Sequence, residues 1–574
     1  MRLILFILMG IPAYYSYLIK NYKKIVVKRN KLNKRIDNFY LDSNSIIYNC
    51  LQNITGEFNK EFVNKLIMEV CLQIDKYIKE IEPSELVYIS FDGVAPYAKL
   101  KQQKERRFKS KLMTELINDI LNDMGEYNDD CQKEKKFDRT CITPGTEFMN
   151  LLNQQVKNYF KDREKIYQVK NIIVSGSDER GEGEHKIFDY IRKNNNSTST
   201  HVIYGLDADL IILCLNHMNI TKHIYLFRET PEFIKNINIT MDPNELYLMK
   251  IEELMYLILE KMVGNNKNVG NNKNVGKNKN VGKNKNVGNN KNVIKDYVFI
   301  MFLLGNDFMP HFPSLNIRTH GIEMLLETYK NILGKKNLYI IENDNIVWKN
   351  VRELIEELSK MEMDNLIREY KIRNKQTRYI ENNNSEDIKS SMEKELLNLP
   401  LKDREDELII DPFKKYWENR YYERLFNTER NEENLKKICL NYIRGLEWNM
   451  IYYTSGCKDW KWRYNYHYPP LFKDLLKFIP IWDIEYIKEN NESLNPITQL
   501  AYVLPKSSLY LLPKKYQTKL INYKRRANDV DLKWAFCRYM WECHIDFQLE
   551  NIDEIDNIIK NIDNGENIVL KFFK

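Results

Sequence analysis

The sequence predicts an α/β fold with a central, mostly parallel sheet, joined to a helix-rich second region. Two observations carry that prediction. Short apolar runs (LVYISFDG at 86–93, NIIVSG at 171–176, HVIYGLDAD at 201–209 and YVFIMFLLGND at 297–307) alternate with longer stretches of helical periodicity. The runs are apolar on consecutive positions and end in an acid or a glycine turn, as strands buried on both faces of a parallel sheet do. From about residue 350 onward the chain reads as helical and aromatic-rich, with many Lys, Glu and Tyr residues, packed against the first part.

Size and composition bound the rest. The 574 residues are 43% hydrophobic and 29% charged, which excludes a small disulfide scaffold and a chain disordered throughout. The formal net charge of +8 aids binding to a polyanion only if it is clustered on one surface. The nine cysteines form no CxxC pair and no Cys/His run at zinc spacing, and are expected to be reduced thiols of an intracellular protein, cytoplasmic or nuclear. The N-terminus is apolar after Arg2, but Gly10, Pro12 and the Tyr14–Tyr17 stretch interrupt it and no A-x-A site follows, so no membrane association is expected.

Taken in order, the elements place acids at the ends of apolar runs. FYLDSNSIIYN carries Asp42, YISFDGVAP carries Asp92, GEGEHKI carries Glu182 and Glu184, YGLDADL carries Asp207 and Asp209, and LLGNDFMPH carries Asp307. An acid after a strand is by itself an ordinary turn or cap residue. Several converging on the carboxyl edge of one parallel sheet would repel one another unless divalent cations sat among them, and an oxygen-only donor set suits two Mg²⁺ or Mn²⁺ ions. Two such ions can orient a water and stabilise the leaving oxygen of a phosphodiester, the chemistry of nucleases. His185 begins a helix and is read as structural. GEGEHK lacks the third glycine of a dinucleotide loop, and its acids would repel a pyrophosphate.

Directly after Asp92, DGVAPYAKLKQQKERRFKSK reads as a basic helix on which Lys99, Gln103, Arg106 and Arg107 share one face, fit to hold a phosphate beside the metals. Further on, a six-residue unit, VGNNKN or VGKNKN, runs five times from Val263 to Asn292. With almost no apolar side chain beyond one Val per unit it cannot offset its ordering entropy, so a solvated loop is expected there; Asn194–Thr200 and Asn382–Ser385 are expected to be surface loops for the same reason.

In this order, LDSNSIIYNC, FDGVAPYAKLKQQKERRF, FDRTCITPGTEFM, SGSDERGEGEHKIFDYIR, YGLDADLIILCL and DYVFIMFLLGNDFMPHFPSLNI resemble the signature blocks of the XRN family of 5′→3′ exoribonucleases. MGIPAYYSYL from Met9 resembles the family's opening, and YIRGLEWNMIYYTSGCKDWKWRYNYHYPPL and PITQLAYVLPKSSLYLLP resemble its second conserved region. The resemblance implies a PIN/flap-nuclease-like core wrapped by a helical region. It implies metal-dependent degradation of single-stranded, 5′-monophosphorylated RNA to nucleoside 5′-monophosphates, in mRNA decay or RNA processing.

Carried over by motif, Asp42, Asp92, Glu182, Glu184, Asp207, Asp209 and Asp307 are the catalytic metal ligands. Lys99, Gln103, Arg106 and Arg107 form the 5′-phosphate pocket, which in the family excludes a cap or triphosphate. Tyr48 and one of Trp460 and Trp462 are the base-stacking pair. The chain departs from the family pattern at Tyr48 (usually His), Ser45 (usually Gly) and Arg180 (usually Pro).

The organisation expected is an N-terminal extension at 1–8, a nuclease core at 9–330 with the Asn/Lys insert at 263–293, a charged helical linker region at 331–400, and a helical, aromatic-rich region at 401–574 that ends without the long C-terminal domains of some members. A flap-type DNA nuclease would use the same metals but adds a helix–hairpin–helix clamp, and none follows Asp307. An inactive RNA-binding scaffold would have lost acids, whereas all seven matched positions keep theirs.

Overall fold

The computed structural model describes residues 13–123, 137–194, 197–221, 223–229, 241–242, 245–263, 287–381, 395–524, 531–546 and 551–564. Seven strands form the main sheet: β1 (Val26–Lys28), β2 (Ile36–Asp42), β3 (Pro83–Ser90), β4 (Asn171–Ser175), β5 (Thr200–Tyr204), β6 (His223–Phe227) and β7 (Tyr247–Lys250). Their order is β1-β7-β6-β5-β2-β3-β4. The five strands from β6 to β4 are parallel, while β7 runs antiparallel to β6 and β1.

Alternate residues of each strand point to opposite faces, and both faces are covered. Tyr40, Tyr88, Ile203 and Leu226 pack with Ile187, Phe188 and Ile211 on one side. Phe39, Val87, Val202 and Phe227 pack on the other with Leu66, Val70 and Met149. Each such side chain contributes roughly 1.5–3 kcal/mol by leaving water, which is why these runs carry no polar alternation.

The parallel connections pass through helices: Lys60–Ile81 between β2 and β3, Tyr97–Asp123 and Glu147–Phe160 between β3 and β4, Gly183–Lys193 between β4 and β5, and Asp209–Asn216 between β5 and β6. Every parallel strand therefore delivers its carboxyl end to the same edge, where the acids lie.

Two expectations are corrected. YVFIMFLLGND is not a strand: Val287–Met301 is helical and Phe302–Leu304 continues as a 3₁₀ turn. Val298 through Leu304 are buried on every side, so the run has no polar face from which a period could be read. The repeat is not a loop to its end either, because its fifth unit, Val287–Asn292, belongs to that same helix. A buried helix propagates into polar sequence at its end more cheaply than a new one nucleates. Residues 264–286, residues 1–12, positions 195–196 and Asn382–Ser385 lie outside the described residues.

The described part of the apolar N-terminus is core. In the Tyr14–Asn21 helix, Tyr14 and Leu18 are buried, and the Tyr14 and Tyr297 hydroxyls share a 2.7 Å hydrogen bond. Among the described residues no helix is long and apolar enough to cross a membrane, and the eight cysteines are free.

Beyond residue 347 the chain is largely helical. The long Glu432–Ser455 helix packs against the Asp209–Asn216 helix, and the loop after it is tied to the Tyr97–Asp123 helix by the Tyr97 amide, which donates to the Trp460 carbonyl at 2.9 Å. Farther away, the buried Glu407 accepts from Arg373, Arg404 and the Phe536 amide, fastening the 531–546 segment to the helical region.

Candidate active site

Asp42 is the last residue of β2, the strand at the middle of the parallel set. Asp92 lies two residues past β3, where the Gly183 amide donates to its Oδ1 at 2.7 Å and the Asn44 side chain to its Oδ2 at 2.5 Å. Glu182 stands at the N-cap position of the Gly183–Lys193 helix without a side-chain capping bond, and Glu184 sits in its first turn. Gly183 is required there, since a Cβ would stand 2.5 Å from Asp42 Oδ1. After β5, the Asp209 amide donates to Asp207 Oδ1 at 3.1 Å, so both acids are fixed by the turn that starts the next helix. Asp307 follows the 3₁₀ turn at Phe302–Leu304, past Gly305, whose φ of +84° is open to glycine. All seven predicted acids therefore meet at one edge of the sheet.

Lys99 enters this cluster from the basic helix. Its ammonium is 2.6 Å from Glu182 Oε2 and 2.5 Å from Asp307 Oδ2, and it is buried with them. Gln102, one turn along the helix, donates to the other oxygen of Asp307. From the far side, the Tyr452 hydroxyl donates to Glu182 Oε1 at 2.7 Å, and Tyr452 stacks on His185 with ring centres 3.7 Å apart.

The electrostatics are those of an over-filled acidic site. Burial, then Asp92 and Asp207, pushes the Asp42 carboxyl well above its usual range. Burial and Asp207 do the same to Glu184 and Asp209, and burial and Asp307 push Asp207 up to about 6. Burial works against the Lys99 charge, yet Asp307 and Glu182 outweigh it and hold the ammonium well above its ordinary range. Asp42 Oδ1 and Glu184 Oε2 are buried with no hydrogen-bond partner. Repelling carboxylates with orphaned oxygens are the donor set that a hard divalent cation satisfies.

The four residues of the basic face separate. Lys99 points into the acids, while Arg107 donates to the Thr143 hydroxyl at 2.7 Å and to the Gln103 carbonyl at 3.0 Å. Burial pulls the Arg107 guanidinium down to about 10, with Tyr48 acting in the opposite sense, so Tyr48 stands close to Arg107; it bears on Arg139 in the same way. Gln103 and Arg106 are half-buried, and Gln103 Oε1 has no partner.

Trp460 and Trp462 are 7% and 8% exposed. Trp462 stacks on Trp448 at 5.0 Å and is part of the core, whereas the Arg180 guanidinium lies 5.3 Å from the Trp460 ring. Asn44, Gln102, Arg139 and Tyr452 escaped the sequence reading. Asn44 stands two residues after Asp42 and Gln102 one turn after Lys99, both local signals, but nothing local marks Tyr452, 270 residues from its partner Glu182.

Parallel strands that deliver a ring of acids to one edge define a PIN-like α/β fold. Residues 9–230 match the family described as XRN 5′-3′ exonuclease N-terminus, and residues 288–411 and 390–533 match the Xrn1 helical domain. The chain belongs to the XRN 5′→3′ exonuclease family. Human 5′-3′ exoribonuclease 1 is 28% identical over 90% of this chain and 31% of its own length. 5′-3′ exoribonuclease 1 of Saccharomyces cerevisiae is 26% identical over 91% of this chain and 41% of its own, and the Drosophila melanogaster 5′-3′ exoribonuclease 2 homolog is 27% identical over 88% and 65%. The chain thus spans 31% to 65% of the length of these relatives.

Proposed function

We propose that this chain is a divalent-metal-dependent 5′→3′ exoribonuclease that degrades 5′-monophosphorylated single-stranded RNA to nucleoside 5′-monophosphates. The observation that supports it most is the cluster of seven acids around Lys99, with Asp42 Oδ1 and Glu184 Oε2 left without partners. Asp42, Asp92, Glu182, Glu184, Asp207, Asp209 and Asp307 would hold two Mg²⁺ or Mn²⁺ ions. Bound there, the ions supply an activated water and neutralise charge on the leaving oxygen.

The chain's own groups do the rest. Tyr452 and Lys99 fix Glu182, Asn44 fixes Asp92, and Lys99 with Gln102 fixes Asp307. Gln103, Arg106 and Arg107 receive the 5′-phosphate, Lys99 adding its charge from the metal side; Arg forks match phosphate oxygens. Tyr48 and Trp460 flank the leading bases, and sequence-tolerant stacking suits an enzyme that must pass every base. Trp462, stacked on Trp448, is left out of that pair.

The test is digestion of three matched RNAs bearing a 5′-monophosphate, 5′-triphosphate or 5′-hydroxyl, with Mg²⁺ and with EDTA. The expected result is mononucleotide release from the monophosphate RNA alone, and only with metal. Equal digestion of all three ends, or cleavage in EDTA, overturns the reading.

A further inference from the structure

A second cluster of ligating side chains lies apart from the acids. Glu105 on the basic helix, His467 in the loop after the Glu432–Ser455 helix, and His544 at the start of the short strand His544–Asp546 bring one ligating atom each within 4.8 Å of one another. His467 Nδ1 is 3.7 Å from Glu105 Oε1, and His544 Nδ1 is 4.0 Å from Glu105 Oε2. The two imidazoles stack with ring centres 5.3 Å apart.

Neither separation is a hydrogen bond, and His467 Nδ1 is buried with no hydrogen-bond partner. Glu105 is 7% exposed and the two imidazoles beside it are half-buried, so the carboxylate is largely withdrawn from water without a hydrogen bond to either ring. Of the neighbouring cations, Lys109 donates to the carbonyls of Trp541 and Cys543 and Lys101 to that of Tyr466, while the charges of both also bear on Glu105 and the two imidazoles.

We propose that Glu105, His467 and His544 form a binding site for a borderline-soft divalent transition cation of the zinc class, distinct from the hard-cation site of the acids. Two imidazoles and one carboxylate are a known zinc donor set with one position left for water. At ligand distances of about 2.0–2.1 Å, tetrahedral geometry places the donor atoms roughly 3.3–3.4 Å apart, so donor atoms that lie within 4.8 Å of one another close by at most about 1.5 Å, through side-chain rotation. Burial disfavours protonation of both imidazoles, which leaves their lone pairs free for a metal. Cys543, although adjacent to His544, packs away against Met113 and Met540 and does not join the set. A bound ion would clamp three distant segments together behind Arg106 and Arg107, positioning the helix rather than touching a substrate.

The test uses the full chain, stripped with a chelator and held in excess Mg²⁺ so that the acidic site is saturated. Zn²⁺ and Co²⁺ are then titrated into the parent and into Glu105→Gln, His467→Gln and His544→Gln, each first shown to be folded by circular dichroism. The parent is expected to bind one equivalent, to give the intense visible bands of four-coordinate cobalt, and to melt higher with zinc. Each variant should lose at least about tenfold in affinity together with the zinc-dependent melting shift. An Asp209→Asn variant should bind zinc as the parent does. A parent that takes up no zinc, cobalt spectra of the six-coordinate kind, or unchanged binding in the Gln variants would each overturn the site.

Discussion

Asp209 is buried, with Asp207 and Asp307 raising its affinity for a proton, so its carboxylate is a cost to the metal-free fold. Asp209→Asn is therefore expected to melt higher than the parent in EDTA, and if Asp209 holds a metal as proposed, RNA hydrolysis is lost while RNA binding largely survives, because such a ligand acts on the transition state. A variant that is less stable in EDTA, or that turns over RNA normally, would contradict the assignment. Lys99 is the opposite case. Its removal leaves Glu182 and Asp307 buried without their cation, so Lys99→Met should cost about 3–5 kcal/mol in EDTA, measured by denaturant unfolding, and part of that loss should return on adding Mg²⁺. Asp42, Asp92 and Asp207 were legible in the sequence because a strand end followed by an acid is a local pattern, whereas Asp307 follows a buried helix that only looks like a strand. That Lys99 turns into them was not, since one helix face holds Lys99, Gln103 and Arg107 alike and only the folded neighbours separate inward from outward.

At the scale of the element, the Tyr97–Asp123 helix serves three surfaces at once. Lys99 and Gln102 reach the acids, Arg107 reaches Thr143, and Glu105 and Lys109 reach the 531–546 hairpin. Its low apolar content reads as a solvated charged helix, yet Lys104 is fully buried with its ammonium 4.4 Å from the Tyr502 ring centre. Charge alone could not reveal this, because the partners lie hundreds of residues downstream. Tyr48, on the Asn44–Asn53 helix, faces the same surface from β2. If its ring stacks on a leading base, Tyr48→Phe should be nearly silent in single-turnover degradation, and Tyr48→Ala should weaken RNA engagement by about 1–3 kcal/mol. If its hydroxyl instead serves Arg107 and Arg139, the Phe variant will be as poor as Ala, which would remove stacking from its role.

Over the whole molecule, buried titratable groups outside the acidic site set opposite limbs of stability against pH. Burial raises Glu362 from 4.5 to about 8 and Asp296 from 3.8 to about 7, so each folded-state carboxyl keeps a proton that the unfolded chain has released, and stability is lost as pH rises toward 8. Burial lowers His217 from 6.5 to about 3 and His311 to about 4, so stability is lost as pH falls below 6.5. From about pH 6.5 to 8 the carboxyl limb dominates, opposed near pH 8 by Lys186 and Lys295, which burial lowers to about 8, and the melting temperature in EDTA should fall across the window, less steeply in Glu362→Gln. An unchanged slope in that variant would remove Glu362 as a cause. The strand-end pattern made the sheet readable, whereas the helical region, whose groups pair across long sequence separations, was readable only as helical.

The same scale decides what the repeat contributes. The Ile251–Val263 and Val287–Met301 helices that flank residues 264–286 have buried faces of their own, through Leu254, Ile258 and Met262 on one and Val293, Tyr297 and Val298 on the other. Their packing therefore needs no side chain of the intervening units, whose one Val in six cannot build a core. Replacing 264–286 with a six-residue Gly/Ser turn shortens the connection by about two halvings, each worth roughly 0.6 kcal/mol in closure entropy. The fifth unit, Val287–Asn292, is retained because it forms the start of a helix that reaches the core. The shortened protein should melt at the parent's temperature or slightly above it and degrade RNA at the parent's rate. Removing Val287–Asn292 as well should lower the melting temperature, because it takes away the first turns of that helix. A loss of stability on the first change would show that the tandem units dock on the body. A loss of RNA binding at unchanged stability would show that their lysines engage the substrate.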